Sequence, residues 1–308
     1  MDISVMLSTF RRSKVLEITL ESFCIMQTGS LRWEILLVDN ADDHETYQAC
    51  QKFQGRLPLK YMIERRQGKN SGLNKAIQGA QGELFIFTDD DVIVQPDWLM
   101  EIWRGTRRWP KDGLFGGRIV PQWPEGRPPF EDIKKDFFCS SYSIADWDSP
   151  EGPYDAGKVW GPNVAIRKHI FNQGYRFNPH VGPSGQNYIM GSETELTRRL
   201  QKDGFRAIYL PKAVVRHYIR PEQMTERWLY GRAFRYGRQE AMNEPPNGYP
   251  IFLGAPRYLY RIILRLLLKK FKTALQGNRQ EKVTNSVEYW IRRGQLYQYR
   301  LMHHEKQG

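Results

Sequence analysis

The first hundred residues alternate between short apolar runs and stretches of helical period. Ile3 to Leu7, Trp33 to Val38, Leu57 to Ile63 and Leu84 to Phe87 read as strands. Between them, residues 13–26 place Val15, Ile18, Leu20 and Phe23 at helical spacing, and residues 43–53 and 70–80 read as two further helices. Apolar strands separated by helical spacers predict an α/β fold, a doubly wound and mainly parallel sheet covered on both faces. Such sheets bind ligands beyond the carboxyl ends of their strands. Thr9, Asp39 and the run Asp89-Asp90-Asp91 all fall there.

Past residue 100 the texture changes. Residues 109–160 are dense in Gly, Pro and Trp, which predicts loops and short strands that shape a cleft. A helix is expected over 192–202, with Ser192 as N-cap, Glu193 and Glu195 in the first turn and Gly204 just beyond. Strands at 206–210 and 213–217 follow, then helices at 221–241, 255–275 and 280–302.

Charge divides the chain unevenly. Of the net +12, the last 104 residues carry 20 Lys/Arg against seven Asp/Glu, whereas the first 204 are close to neutral. A uniformly basic nucleic-acid binder is disfavoured, and a neutral catalytic body with a basic tail is favoured. Three widely spaced cysteines form neither a disulfide framework nor a zinc pattern. With no basic, small-residue leader at the first residues, a cytoplasmic location is expected.

Three adjacent carboxylates at a strand end repel one another unless a cation shares them. Extended geometry would point Asp89 and Asp91 to one side and Asp90 to the other. Hard oxygen donors so placed suit Mg²⁺ or Mn²⁺ bridging to phosphate oxygens; the alternative is a solvated turn.

Six segments, in order, resemble the inverting, nucleotide-sugar-dependent glycosyltransferases of the GT-A fold, family 2. Ser8-Thr9-Phe10-Arg11-Arg12 stands where that family has Pro-Thr-Tyr-Asn-Arg. Val38-Asp39-Asn40-Ala41-Asp42-Asp43 is similar to Val-Asp-Asp-Gly-Ser-x, and Gly68 to Ala76 to its Gly-x-x-x-Ala-Arg-Asn region. Thr88-Asp89-Asp90-Asp91 is similar to its D-x-D. Trp160 to Arg167 resembles Gly-x-Asn-x-x-x-Arg, and Gly191 to Leu200 resembles Gly-Glu-Asp-x-Glu-Leu-x-x-Arg-Leu. Ser8 and Arg11 depart from the first motif; Ser192 and Glu193 depart from the last, Glu193 standing where the base Asp is usual.

The resemblance implies a GT-A domain over 1–220, with a nucleotide-binding half at 1–100 and an acceptor half at 101–220, and a basic helical C-terminal extension at 221–308. It implies transfer of a sugar, with inversion, from a nucleotide-sugar (UDP-sugar being the first choice) to a glycan or lipid-linked acceptor. Ser8, Thr9, Phe10, Arg12, Asp39, Lys69, Asn70, Asn74, Asp89 and Asp90 are implied at the nucleotide. Asp91 and His217 are implied at Mn²⁺ or Mg²⁺, and Trp160, Gly161, Asn163 and Glu195 at the sugar or acceptor. Glu193 is the candidate base, its alternative being a capping carboxylate; Glu195 is the second candidate. His217 has a structural alternative, as Trp123, Trp160 and Tyr188 have a core alternative to stacking on a sugar. A nucleotidyltransferase acting on sugar phosphates is the competing function. It would carry a Gly-rich basic loop after the first strand, and Ser-Thr-Phe-Arg-Arg is not one.

In the tail, Arg257, Arg261, Arg265 and Lys269 recur every four residues, opposed by Ile262, Ile263, Leu266, Leu267 and Phe271. Too short and charged to span a bilayer, this helix suits the surface of an anionic membrane or, alternatively, packing on the catalytic body.

Overall fold

A computed structural model describes residues 1–124, 133, 135–182, 190–244, 248–275 and 277–305. In chain order the first half contains β1 (Ile3–Thr9), α1 (Ser13–Cys24), β2 (Trp33–Asp39), α2 (His44–Gln51), β3 (Leu59–Ile63), α3 (Lys69–Gly79), β4 (Leu84–Phe87), β5 (Val92–Val94) and α4 (Trp98–Arg108). There follow β6 (Leu114–Gln122), α5 (Lys135–Tyr142), β7 (Gly152–Tyr154), β8 (Val164–Arg167), α6 (Lys168–Asn172), α7 (Ser192–Lys202) and β9 (Ala207–Tyr218). The last elements are α8 (Glu226–Asn243), a hairpin of β10 (Ile251–Phe252) and β11 (Ala255–Pro256), α9 (Arg257–Leu275) and α10 (Arg279–Glu305). They form two compact units: Met1–Gln122 with Ser143–Tyr218, and Trp123–Tyr142 with Ile219–Gly308.

The first unit is built on one mixed sheet in the order β3-β2-β1-β4-β8-β6-β9-β5, with β7 also on β9. β3, β2, β1 and β4 run parallel; β8 is antiparallel to both β4 and β6, while β6 and β9 are parallel. Side-chain alternation sorts each strand between two cores. Val5, Leu7, Ile35 and Leu37 pack with Leu16, Leu20 and Phe23 of α1 and Trp98, Leu99 and Ile102 of α4. Met6, Leu36 and Val38 point the other way, onto Leu73 and Ile77 of α3, Phe171 of α6 and Leu196 and Leu200 of α7. Both faces are covered, as the doubly wound reading expects.

The apolar run at β2 hides one carboxylate. Glu34 is buried, and it accepts from Ser4 Oγ, Lys60 Nζ and the Gln81 N–H, each at 2.7 Å. The three donors come from β1, β3 and the turn before β4, so a satisfied charge fastens four strands at their amino ends.

Three expected boundaries differ. The strands at 206–210 and 213–217 are a single strand, because β9 bulges at Pro211–Ala213: Gly117 pairs with Leu210 and Arg118 with Val214. The helix expected from 221 begins at Glu226, where the Thr225 side chain accepts from the Trp228 N–H at 3.3 Å. Ser192 is the first residue of α7 rather than its cap. Gly191, at φ +90°, takes the cap position, and the Ser192 hydroxyl donates to Asn70 Oδ1 instead.

In the second unit, Tyr142 of α5 donates to the Gln223 carbonyl at 3.0 Å and stacks on Trp228 of α8, ring centroids 5.1 Å apart. Trp123 packs edge-on against the same Tyr142 at 5.0 Å. The helices α8 and α10 approach until backbone meets backbone. A Cβ on Gly237 would stand 1.9 Å from the Ile291 carbonyl oxygen, and one on Gly294 would stand 2.0 Å from that of Phe234. Gly237→Ala and Gly294→Ala are each expected to cost about 1–3 kcal/mol through overpacking. A lowered melting temperature for both checks this; an unchanged one would mean the helices can separate freely.

No helix among the described residues is long and apolar enough to cross a membrane.

Candidate active site

The register of the sheet assembles the site. Thr9 pairs with Asp39, and Met6 with Phe87, so the carboxyl ends of β1, β2 and β4 lie side by side. β8 runs antiparallel to β4, with Val164 opposite Phe87, so the turn 161–163 that precedes β8 reaches the same edge. The Thr88 hydroxyl donates to the Pro162 carbonyl at 2.8 Å and fixes that turn beside the aspartates.

The aspartate run is a turn, not a continuation of β4, and its three carboxylates diverge. Asp90 accepts from Thr9 Oγ1 at 2.6 Å and from Arg12 at 3.0 Å. Asp91 accepts from Arg12 at 3.3 Å, and its other oxygen lies 3.3 Å from His217 Nε2. Asp89 turns toward Lys69 and forms an ion pair with its ammonium. Asp91 thus shares Arg12 with Asp90 instead of pointing with Asp89, because the strand alternation that would pair 89 with 91 ends at Phe87. Thr19 of α1 holds the turn: its hydroxyl donates to the Asp90 carbonyl at 2.9 Å and accepts from the Val92 N–H at 3.1 Å.

Glu193 enters from the first turn of α7, and its carboxylate lies 2.5 Å from Lys69 Nζ. Lys69, the first residue of α3, therefore bridges Asp89 and Glu193. Room for the Glu193 carboxylate exists because residue 161 is glycine: a Cβ there would stand 2.3 Å from Glu193 Oε1 and 2.4 Å from its carboxyl carbon. Glu195 faces away and pairs along its own helix with Arg199 at 3.2 Å. Of the two first-turn carboxylates, the structure brings only Glu193 to the aspartates.

Four carboxylates against Lys69 and Arg12 leave this buried cluster with an excess of negative charge. Burial pushes the Asp89 carboxyl up to about 6, opposed by Lys69 and reinforced by Glu193 and Asp91. Asp90 is also raised, first by burial, against the pull of Arg12. Burial lowers Lys69, but Asp89 and Glu193 more than reverse this and hold its ammonium above the ordinary lysine value.

Other expected site residues are placed differently. Asn70 is buried; its amide donates to the carbonyls of Asn178 at 2.7 Å and Val181 at 2.8 Å. Asn74 exchanges two hydrogen bonds with the backbone of Phe177. Asn163, also buried, accepts from Trp98 Nε1 at 2.9 Å and donates to the carbonyls of Arg118 and Ala213. These three amides are struts that hold the walls of the site, with their hydrogen-bonding groups turned into the protein. Trp160 is half-buried, donates to the Gly157 carbonyl at 3.1 Å and packs edge-on against Trp147. Ser8 lies under α3, its hydroxyl 2.4 Å from where a Cβ on Gly72 would stand. Phe10 is 45% exposed, with the Arg11 guanidinium 5.5 Å over its ring. Tyr188 lies outside the described residues.

Asp39 is fully buried, and its oxygens accept from the Ala41 and Asp43 N–H groups and from the Tyr61 hydroxyl, at 2.7–2.8 Å. A nucleotide base reaching this carboxylate would compete with Tyr61. Asn40 does similar work next door, donating to the Glu64 and Arg66 carbonyls and accepting from Gly68, whose φ of +122° turns the chain into α3. Sequence reasoning singled out neither Tyr61 nor Thr19. Both lie inside ordinary amphipathic elements, and nothing local distinguishes them.

Strand ends that carry the Asp89–Asp91 turn, faced by the helix-borne carboxylate of Glu193 packed against Gly161, fit a glycosyltransferase domain of the GT-A type. Residues 4–177 match the glycosyl transferase family 2 description, and the chain belongs to that family. No curated protein matches the sequence. Among solved structures, S. aureus TarS 1–349 in complex with UDP-GlcNAc is similar at a TM-score of 0.59 and 15% identity, over 96% of this chain and 93% of that one. The mannosyltransferase PcManGT from Pyrobaculum calidifontis, in complex with GDP-Man and Mn²⁺, is similar at a TM-score of 0.60 and 19% identity, over 94% and 85%. At these identities the likeness extends to the fold. Family membership removes the nucleotidyltransferase alternative.

Proposed function

We propose that this glycosyltransferase moves a sugar from a nucleoside-diphosphate sugar, a UDP-sugar in the first instance, to an acceptor hydroxyl in one inverting displacement, with Glu193 as the base. The observation that carries this is the Asp89–Lys69–Glu193 bridge over Gly161. It puts a carboxylate beside the Asp89–Asp91 turn, packed against Gly161 and joined to Asp89 through Lys69. The acceptor oxygen attacks the anomeric carbon as the bond to the diphosphate oxygen breaks, and Glu193 takes the acceptor's proton. The hydroxyl belongs to a glycan or a lipid-linked sugar.

The donor lies along the strand ends. Phe10 stacks on the base; Thr9, Arg12 and Asp90 form the floor beneath the phosphates and ribose. Asp39 serves indirectly, by shaping the loop 40–43 on which the base rests. Arg12 and Lys69 supply positive charge to the departing diphosphate, and Lys69 also holds Glu193 in place.

A divalent cation suits the donor chemistry here. Among the described residues no three His, Cys, Asp or Glu side chains form a ready-made cluster. Asp91 with His217 gives two donors, and cations shared with substrate phosphates characteristically take only one or two protein ligands. The excess of buried carboxylate charge favours such an ion, and the imidazole favours Mn²⁺ over Mg²⁺. When bound, the cation supplies neutralisation of the leaving diphosphate.

The test begins with the melting temperature measured against nucleotide sugars, with and without Mn²⁺, since a donor that binds the native state raises it. NMR of the first product then reads the anomeric configuration. Inversion is expected; retention would overturn the single displacement.

A further inference from the structure

The second unit carries an apolar surface that no other described residue covers. In α9 the buried positions are Leu259, Leu266 and Thr273, with Ile262, Ile263 and Lys270 half-buried beside them. These define the face turned into the protein, and Lys270 sits 4.4 Å over the ring of Tyr289 in α10. Of the apolar residues set opposite the basic stripe, Ile262, Ile263 and Leu266 are therefore turned into the protein, while Leu267 and Phe271 are exposed. The opposite face is apolar as well. Leu264, Leu267, Leu268, Phe271 and Leu275 are 48–75% exposed, and at 3.6 residues per turn they form one ridge. Exposed Arg261, Arg265, Lys269 and Lys272 line one flank of it.

The β10–β11 hairpin extends the ridge. Its turn places Leu253 at φ +44° and Gly254 at φ +78°, a two-residue loop with both φ positive. Asparagine or glycine takes the first position of such a turn without strain; leucine does not. This leucine is also 65% exposed, beside Phe252 at 53%. The hairpin is fastened to α9, because the Tyr260 hydroxyl donates to the Leu253 carbonyl at 3.1 Å and its ring packs edge-on against Phe252. Tyr260 precedes Leu264 by one turn on the same side. The result is a continuous apolar strip from the hairpin tip to Leu275.

We propose that this strip, Phe252-Leu253 together with the outer face of α9, is an interfacial membrane-binding surface that takes anionic lipid. Between Glu244 and Glu281 the chain has seven Lys/Arg and no acidic residue, so the electrostatics match a negative leaflet. An apolar ridge flanked by basic side chains lets the ridge enter the acyl boundary while the cations stay at the headgroups. A second copy of the chain fits less well. Pairing two such ridges would bring basic flanks together with no carboxylate to meet them. The inference concerns this unit alone and stands apart from the sugar-transfer reading.

Flotation of the full chain with phosphatidylcholine vesicles, with and without phosphatidylglycerol, tests it. The wild type is expected to bind the phosphatidylglycerol vesicles at least tenfold more tightly, with binding weakened by salt. The double variant Leu268→Ser with Phe271→Ser is expected to lose at least tenfold in binding at an unchanged melting temperature, since both side chains are exposed. Leu253→Asn removes both the strained residue and the apolar tip. It is expected to keep or raise the melting temperature and to weaken binding. No binding by the wild type, or binding that these variants leave intact, would overturn the proposal. So would an oligomer in lipid-free solution that the double variant dissolves, which would assign the ridge to self-association.

Discussion

Glu193→Gln is expected to lower kcat by roughly two orders of magnitude or more, the scale of lost general-base catalysis, while nucleotide-sugar affinity is retained. The amide keeps the shape of the side chain and cannot take the acceptor's proton. Gly161→Ala should act in the same direction without touching a charge. Its methyl group would occupy the space within 2.4 Å of the Glu193 carboxyl carbon, so the carboxylate must turn away. Glu195→Gln removes only a pairing with Arg199 on the outer side of α7 and should leave kcat within a few-fold. Single-turnover rates and donor titrations separate these outcomes. If Glu195→Gln alone abolished transfer, the base assignment would move there and the bridge through Lys69 would be structural.

Asp91→Asn is expected to abolish transfer, with the fold intact, and chelation of the wild type should have the same effect. Asp91 shares Arg12 with Asp90 and lies against His217, so the substitution removes a charge at the point where two candidate metal donors meet. His217→Ala should weaken the dependence on Mn²⁺, leaving residual activity at high metal concentration. Circular dichroism and melting curves establish that the variants are folded, and activity as a function of added Mn²⁺ reads the metal. Near-normal turnover by Asp91→Asn would withdraw Asp91 as a ligand. Metal dependence unchanged in His217→Ala would return the imidazole to a structural role, pairing β9 with the turn before β5.

The sheet was legible in the sequence because its signals are local. Apolar runs of four to seven residues bounded by helical spacers specify strands and crossovers, and each of the four front strands lies within two residues of its expected position. The strand ends followed, and with them the neighbourhood of Thr9, Asp39 and Asp89. The roles of the asparagines did not follow. Asn70, Asn74 and Asn163 read as polar residues in loop-and-helix motifs, where a ligand contact and a buried strut look alike. The difference lies in the carbonyls of residues 177, 178, 181 and 213, which are distant in the chain and arrive only when the sheet has closed. Asp39 shows the same limit, since its partner Tyr61 lies on the neighbouring strand.

The chain by itself determined the doubly wound sheet, the identity of the residues at its carboxyl edge, and the partition of charge between a neutral body and a basic tail. Those properties depend on short-range period and on counting. Tertiary structure alone decided that Lys69 joins Asp89 to Glu193, that Glu195 turns outward, and that the outer face of α9 is the apolar one left exposed. A helix with leucines around most of its circumference does not specify which side will be buried. The neighbouring helix settles that by covering one side, just as the start of α7 and the turn before β8 settle which carboxylate the strand ends will face.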